Sequence, residues 1–290
     1  MASPIGCTTV GYLRFPLERA LDGIAAAGLR HIDLAAIPDY CEHVNPSAYD
    51  REALLRELAR HGLDVLSISG HTDLTDAAGV SHIDACLRLA ADLGATYVVT
   101  GTGSASDAET RERRLANVRS LARVAEELGV RLALETQDDL LTGGGAATEF
   151  LAAVGSPAVG LNLDAANIVY WSGRRPEDEI AELAPHVIHA HIKDIAGGRG
   201  EYEFRPIGEG SIDFRAIFAA LAAVGFDGPL MIEPETADEL ALRDPAQVAE
   251  ARRDPGSAYR SHDYLGTDDP DVVDGQLARS IATVRELLAT

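Results

Sequence analysis

Cysteine is scarce: the chain has three, Cys7, Cys41 and Cys86, and none belongs to a C-x-x-C pair. So sparse and odd a set argues against a disulfide framework or a thiolate metal site, and fits a reduced compartment. Basic residues are also few. Lys and Arg total 25 against 46 Asp and Glu, giving a formal net charge of -21 and a pI near 4.7. A surface this acidic repels phosphate backbones and anionic lipid, so no nucleic acid or membrane partner is expected. No apolar run approaches the ~18 residues of a membrane-spanning helix. Met1-Ala-Ser-Pro-Ile-Gly6 has no basic segment followed by an apolar run, the mark of a secretory leader. The expected location is cytoplasmic. No G-x-G-x-x-G with an acidic partner is present, which removes the dinucleotide fingerprint. Gly101-Thr-Gly103 and Gly143-Gly-Gly145 lack the Lys-Ser/Thr of a phosphate-binding loop, and both read as tight turns.

What the chain does have is length, a large apolar fraction and a rhythm. It has 290 residues, 46% hydrophobic and 24% charged, enough for one large core. Eight β-rich runs recur, at Gly6–Gly11, His31–Ala36, Asp64–His71, Tyr97–Thr102, Arg131–Thr136, Val159–Asp164, Val187–Lys193 and Pro229–Pro234. Between them lie stretches with apolar residues at helical spacing, such as Leu17–Ala27, Arg51–His61, Ser81–Leu93 and Glu109–Leu128. Gly28, Gly62, Gly94, Gly129 and Gly225 follow such stretches, where a left-handed C-cap is wanted. A last helix is expected at Val273–Leu288. Eight β–α units predict an α/β protein, a single-domain (β/α)8 TIM barrel over 1–290. Two segments break the rhythm, Asp39–Asp50 and a C-terminal insertion at about 236–272 before the last helix. Each is either an irregular surface loop or a functional element, a lid or the contact of a homo-oligomer.

Alternation along each strand selects the residues that face the barrel axis. In Val187-Ile-His-Ala-His-Ile-Lys193 the period places His189, His191 and Lys193 on one face and Ile188 and Ile192 on the other. The same phase turns inward Ser67, Ser69 and His71, Thr100 and Thr102, Glu135, Asn162 and Asp164, and Glu233. Four strands therefore deliver Glu135, Asp164, His191 and Glu233 near their C-terminal ends, the functional face of such barrels. Three carboxylates meeting in one mouth repel one another unless each gains a proton or a partner. A divalent cation resolves the conflict. Three oxygen donors and one imidazole suit Mn2+, Mg2+ or Co2+, with Zn2+ open.

At these residues the chain resembles the xylose isomerase-like family of sugar isomerases and epimerases. That family includes ketose 3-epimerases, hydroxypyruvate isomerase, inosose isomerases and dehydratases, and related apurinic endonucleases. The matching stretches are Ala20–Ala35, Leu132-Ala-Leu-Glu135, Val159-Gly-Leu-Asn-Leu-Asp164, His189-Ala-His-Ile-Lys-Asp194, Pro206-Ile-Gly-Glu-Gly210 with Ile212-Asp-Phe214, and Gly225-Phe-Asp-Gly-Pro-Leu-Met-Ile-Glu233. The resemblance implies one divalent metal, Mn2+ first, on Glu135, Asp164, His191 and Glu233, with Glu135 and Glu233 also acting as acid and base. The chain departs from the family at Asn167, where many epimerases have histidine, and at Leu141, where some carry a second carboxylate. Thr136-Gln-Asp-Asp139 is polar but does not simply replace that carboxylate.

The expected activity is metal-dependent isomerisation or epimerisation of a sugar, keto-sugar or inosose, through an enediolate stabilised by the metal. Dehydration or cleavage by a lyase on the same site is the alternative, since both share that intermediate. An apurinic endonuclease and a non-catalytic sugar-binding barrel are further readings. The endonuclease lacks support, because Asn167 replaces a needed histidine and no cationic DNA face is evident. For substrate binding the candidates are His71, Asn167, His189, Lys193, Arg205 and Trp171, with Tyr170 beside the last. Lys193 holds developing oxyanion charge or pairs with a carboxylate. His189 binds a substrate hydroxyl or makes a deeper structural hydrogen bond. Arg205 meets the substrate or pairs with Glu201 or Glu203.

Overall fold

A computed structural model of the chain describes residues 3–137, 140–201, 203–235 and 266–289. Eight strands form the barrel: β1 Ile5–Thr8, β2 His31–Ile37, β3 Asp64–Ser69, β4 Tyr97–Thr100, β5 Arg131–Glu135, β6 Val159–Asp164, β7 Val187–Ile192 and β8 Leu230–Ile232. Each pairs in parallel with the next, and β1 pairs with both β2 and β8, which closes the cylinder. Closure leaves no barrel strand with an open edge. Among the described residues, eight helices alternate with the strands: α1 Leu17–Ala26, α2 Arg51–His61, α3 Ala77–Leu93, α4 Ala108–Leu128, α5 Gly144–Val154, α6 Pro176–Leu183, α7 Phe214–Ala223 and α8 Pro270–Ala289. None of the described helices is long and apolar enough to cross a membrane.

The helix boundaries have local causes. Asp50, Asp76, Asp107 and Asp213 cap α2, α3, α4 and α7 by accepting a backbone N–H three residues on. The Asp76 cap starts α3 four residues before the expected Ser81. The five glycines expected after helices all adopt positive φ. Gly143-Gly-Gly145 is a different case, and the tight-turn expectation is corrected. Gly143 is the N-cap of α5, and the Gly144 N–H donates to Glu179 at 2.9 Å. A Cβ on Gly144 would stand 2.5 Å from Glu182 Cβ, so glycine lets α5 and α6 approach.

Two further expectations about side-chain direction change. On β4, Tyr97 and Val99 point to the barrel axis, with Thr100 in the opposite phase, because Val98 packs outward with the helices. On β7, Ile188 joins Val99 and Ala133 inside the barrel. The pairing runs Leu161 with Val187 and then Asn162 with His189, so β7 carries one extra residue there. That bulge rotates Ile188 inward without disturbing the phase of His189 and His191.

The segment after β2 is a short hairpin. Cys41–Glu42 pairs antiparallel with Ala36 and Ile37, and Asp39 takes φ +58° at the turn. The last helix begins at Pro270, so the described end of the expected insertion is only residues 266–269. Residues 236–265 of that insertion lie outside the described residues. Buried Asp194 accepts backbone N–H groups from Ile195, Gly208, Gly210 and Ile212 at 2.8–3.3 Å. The Pro206-Ile-Gly-Glu-Gly210 turn is thus folded around one carboxylate.

Helix α8 is fastened to the start of the chain. The hydroxyl of fully buried Tyr12 donates to Asp274 at 2.6 Å, and Arg19 pairs with the other oxygen of that carboxylate. Asp274→Ala strands the Tyr12 hydroxyl in the core. Its expected cost is ~1–3 kcal/mol of stability in a denaturant melt.

Candidate metal centre and active site

The C-terminal ends of β5, β6, β7 and β8, joined by Asp33 from the first half of β2, direct inward side chains to one spot, centred on His191. Its Nδ1 lies 3.1 Å from Glu135 Oε2 and 3.0 Å from Glu233 Oε2, and its Nε2 lies 3.3 Å from Asp33 Oδ2. One donor atom from each of Asp164, His191 and Glu233 falls within 4.8 Å of the others. The four side chains anticipated as metal ligands thus converge, each buried or nearly so.

Each ligand is held by its own surroundings. Glu135 accepts from Asn162 Nδ2 at 2.8 Å on one oxygen and from Asn167 Nδ2 at 2.6 Å on the other. Asp164 ends β6, and its Oδ1 accepts the Asn167 N–H at 2.9 Å, capping the helical turn Ala165–Asn167. Asn167, standing where the resembled epimerases have histidine, therefore braces both Glu135 and Asp164.

Lys193 follows β7 directly and is buried among carboxylates. Its Nζ lies 3.2 Å from Asp164 Oδ2, 3.1 Å from Glu233 Oε1 and 3.0 Å from Glu235 Oε2. Burial opposes its charge, but these anions hold its pKa well above the usual lysine value. Burial likewise opposes protonation of His191, and the adjoining carboxylates of Asp33, Glu135 and Glu233 outweigh it and raise its pKa. Asp164 goes the other way for an acid. Burial raises it to about 7, with Glu135 and Glu233 adding to the rise against the pull of Lys193.

The residues fit a divalent cation by a direct observation. His191 Nδ1 and Asp164 Oδ2 are buried and make no well-formed hydrogen bond; their contacts in the cluster are ion pairs, with Glu135 and Glu233 for the first and with Lys193 for the second. Buried polar atoms left without a hydrogen bond are rare and costly, and a cation coordinated there would satisfy both.

Above the cluster opens a cavity. It is lined by His71, Glu135, Gln137, Asn167, His191, Lys193, Glu233 and Glu235 on its polar side. Val10, Ile37, Tyr40, Tyr170, Trp171 and Phe204 supply the apolar side. The cavity gathers His71, Asn167, Lys193 and Trp171 of the anticipated substrate-binding residues. His71 Nε2 stands 3.4 Å from Glu135 Oε2. Trp171 is 37% exposed, and its ring meets Tyr170 edge-on. Two of the anticipated residues are not on that wall. His189 lies below His191, bonded to Asn162 and Ser67, with its pKa lowered to about 3 by burial and by His191. Arg205 bonds the Phe204 carbonyl and Glu203 and is not a lining residue, because the small strand Phe204–Arg205 turns Phe204 inward instead.

Sequence reasoning missed Asp33, Glu235, Gln137 and Tyr40. For Asp33 the signal was present. His31-Ile-Asp-Leu-Ala35 shows the same alternation that selected the other strand-end residues. Glu235 continues the phase of Glu233 two residues on. Gln137 and Tyr40 sit in loops, where no period applies.

A family model described as xylose isomerase-like TIM barrel matches residues 21–254. An L-ribulose 3-epimerase from Mesorhizobium japonicum is 29% identical over 237 residues, which is 75% of this chain and 75% of its own. An L-ribulose-5-phosphate 3-epimerase from Escherichia coli strain K12 is 27% identical over 231 residues, 74% of this chain and 79% of its own. The crystal structure of a xylose isomerase-like TIM barrel protein from Mycobacterium smegmatis, in complex with magnesium, superposes with a TM-score of 0.73. At 21% identity it covers 99% of this chain and 100% of its own, a likeness of fold.

The raised pKa of Asp164 has a stability consequence for the metal-free protein. Its native state binds the proton more tightly than the unfolded chain does. The contribution is therefore fully present below the unfolded value of about 4 and is lost as pH rises through about 7. Asp164→Asn removes that loss and keeps an oxygen for the Asn167 N–H. With chelator present it should be more stable than wild type by ~2–4 kcal/mol at pH 8. The gap should close toward pH 4, as read by urea melts across the range.

Proposed function

The chain belongs to the xylose isomerase-like TIM barrel family, and from that premise we propose that it is a divalent-metal-dependent epimerase or isomerase of a ketose. The observation that carries the reading is the meeting of Glu135, Asp164 and Glu233 on His191 at the floor of a cavity. Glu135, Asp164, His191 and Glu233 would hold the metal, and Mn2+ is proposed first among Mg2+, Co2+ and Zn2+ for this mixed oxygen and nitrogen set. The cation, when bound, supplies Lewis acidity at the substrate carbonyl.

The remaining chemistry belongs to the chain. Glu135 and Glu233 come from β5 and β8 and approach His191 separately. One takes the proton from the carbon beside the carbonyl, and the other, carrying a proton, delivers it to the opposite face. Amide donors on both oxygens of Glu135 fix its plane, and Lys193 does the same for one oxygen of Glu233. His71 and Gln137 offer polar contacts to the sugar hydroxyls. Tyr170, Trp171 and Phe204 present aromatic faces to its C–H surface and keep water out. The names of the curated relatives favour epimerisation over dehydration or cleavage.

The test is transfer of solvent deuterium into a panel of free ketoses by the Mn2+-loaded protein, followed by NMR. The expected result is label on the carbon beside the carbonyl together with the C3 epimer. Loss of mass from the substrate would move the assignment to a lyase, and no exchange across the panel would sink it. Glu135→Gln and Glu233→Gln should each slow the exchange by ~10²–10⁴-fold.

The cavity also separates substrate classes. Among its described lining residues Lys193 is the one lysine or arginine, and three carboxylates already surround it. A phosphate dianion entering that wall meets net repulsion. Steady-state kinetics should give a free ketose a kcat/KM at least about tenfold above that of its 5-phosphate ester, one charge interaction's worth.

A further inference from the structure

Below the proposed ligands lies a closed ring of polar contacts, in which the mechanism gives no role to Asp33, Ser67 or His189. From His191 Nε2 it runs to Asp33 Oδ2 at 3.3 Å, and Ser67 Oγ donates to that same oxygen at 2.6 Å. Ser67 Oγ lies 3.0 Å from His189 Nε2, and His189 Nδ1 lies 2.8 Å from Asn162 Oδ1. Asn162 Nδ2 donates to Glu135 Oε2, which returns to His191 at Nδ1. The ring takes its members from β2, β3, β5, β6 and β7, and Asp33, Ser67, Asn162 and His189 are each fully buried.

We infer that Asp33 is a positioning residue for the metal centre: its carboxylate takes the Nε2 hydrogen of His191 and thereby turns Nδ1 toward the carboxylate ligands. A carboxylate bonded to a buried imidazole accepts, so Nε2 must carry the hydrogen. Nδ1, 3.0–3.1 Å from Glu233 and Glu135, is then the nitrogen that would give up its proton and offer its lone pair to a bound cation. Both hydrogen bonds of Asp33 run through Oδ2, so Ser67 fixes the carboxylate that fixes the imidazole. Carboxylate partners of ligating histidines set ring orientation and raise ligand basicity, and their loss typically weakens metal binding. Asp33 itself stands on the far side of the imidazole from Glu233, the side that faces the barrel interior.

The inference rests on the proposed metal site, and the experiment separates the two. Mn2+ affinity is measured by titration calorimetry on wild type, Asp33→Ala and Asp33→Asn, with circular dichroism confirming the fold. The expected result is a 10–100-fold weaker affinity for Asp33→Ala. Asp33→Asn, which keeps a neutral acceptor, should recover part of that loss. A second measurement needs no variant. In wild type loaded with diamagnetic Mg2+, histidine 15N NMR should show His191 protonated at Nε2 and coordinated through Nδ1. Affinities of both variants within twofold of wild type, or a metal on Nε2, overturn the role of Asp33 and leave the metal site standing. Failure of wild type itself to bind Mn2+ and Mg2+ overturns both.

Discussion

Too much negative charge in too little space is the constraint behind the upper half of this barrel. Glu135, Asp164, Glu233 and Glu235 gather toward its mouth with Asp33 just beneath them, and most of the five are buried. Burial penalises every one of those charges. Two cationic groups, His191 and Lys193, are wedged among them and make ion-pair contacts with all five. The compensation is uneven. It leaves Asp164 raised to about 7 while Glu135 and Glu233 are lowered. A site balanced this way is under-supplied with positive charge, which is the physical case for a divalent cation.

The barrel interior meets the constraint in floors. Nearest the N-terminal ends of the strands, Tyr97, Val99, Ala133 and Ile188 fill the space with apolar bulk. Over them, Ser67, Asn162 and His189 form a neutral polar floor, with His189 kept uncharged by burial and by His191 above it. The carboxylates come next, and the cavity last. A change on the middle floor therefore reaches the ligands without touching a substrate, because Asn162 and Ser67 each hold a residue that contacts His191.

The departures from the resembled epimerases become intelligible in this setting. Asn167 presents an amide to Glu135 and a backbone N–H to Asp164, so it organises two proposed ligands at once. Leu141 is wholly buried, so that position contributes packing and no charge. Of the two readings of Lys193, pairing with carboxylates is the one seen: it sits within the carboxylate set, where its ammonium also lies 4.9 Å from the Phe204 ring centroid.

Alternation of side chains is a local property, and it was legible. It placed eight strands and turned Glu135, Asp164, His191 and Glu233 toward one axis, because a strand exposes its period in the sequence itself. The C-terminal helix ends were legible for the same reason, since a left-handed glycine acts within a few residues, whereas the Asp76 cap was passed over and α3 begins four residues before the expected Ser81. Where the period was locally broken, reading failed. A bulge on β7 sent Ile188 inward, and β4 held the opposite phase from that expected of Thr100. Asp33 showed the right pattern but had no visible partner, because His191 lies 158 residues away and only barrel closure brings the two together. Gln137 and Tyr40 reach the cavity by loop geometry, and Arg205 is turned away by it. The sequence alone thus determined the architecture and the identity of the proposed ligands, through periodicity and capping. The tertiary structure decided which charges neutralise one another, because that depends on distances across the barrel that no local pattern encodes.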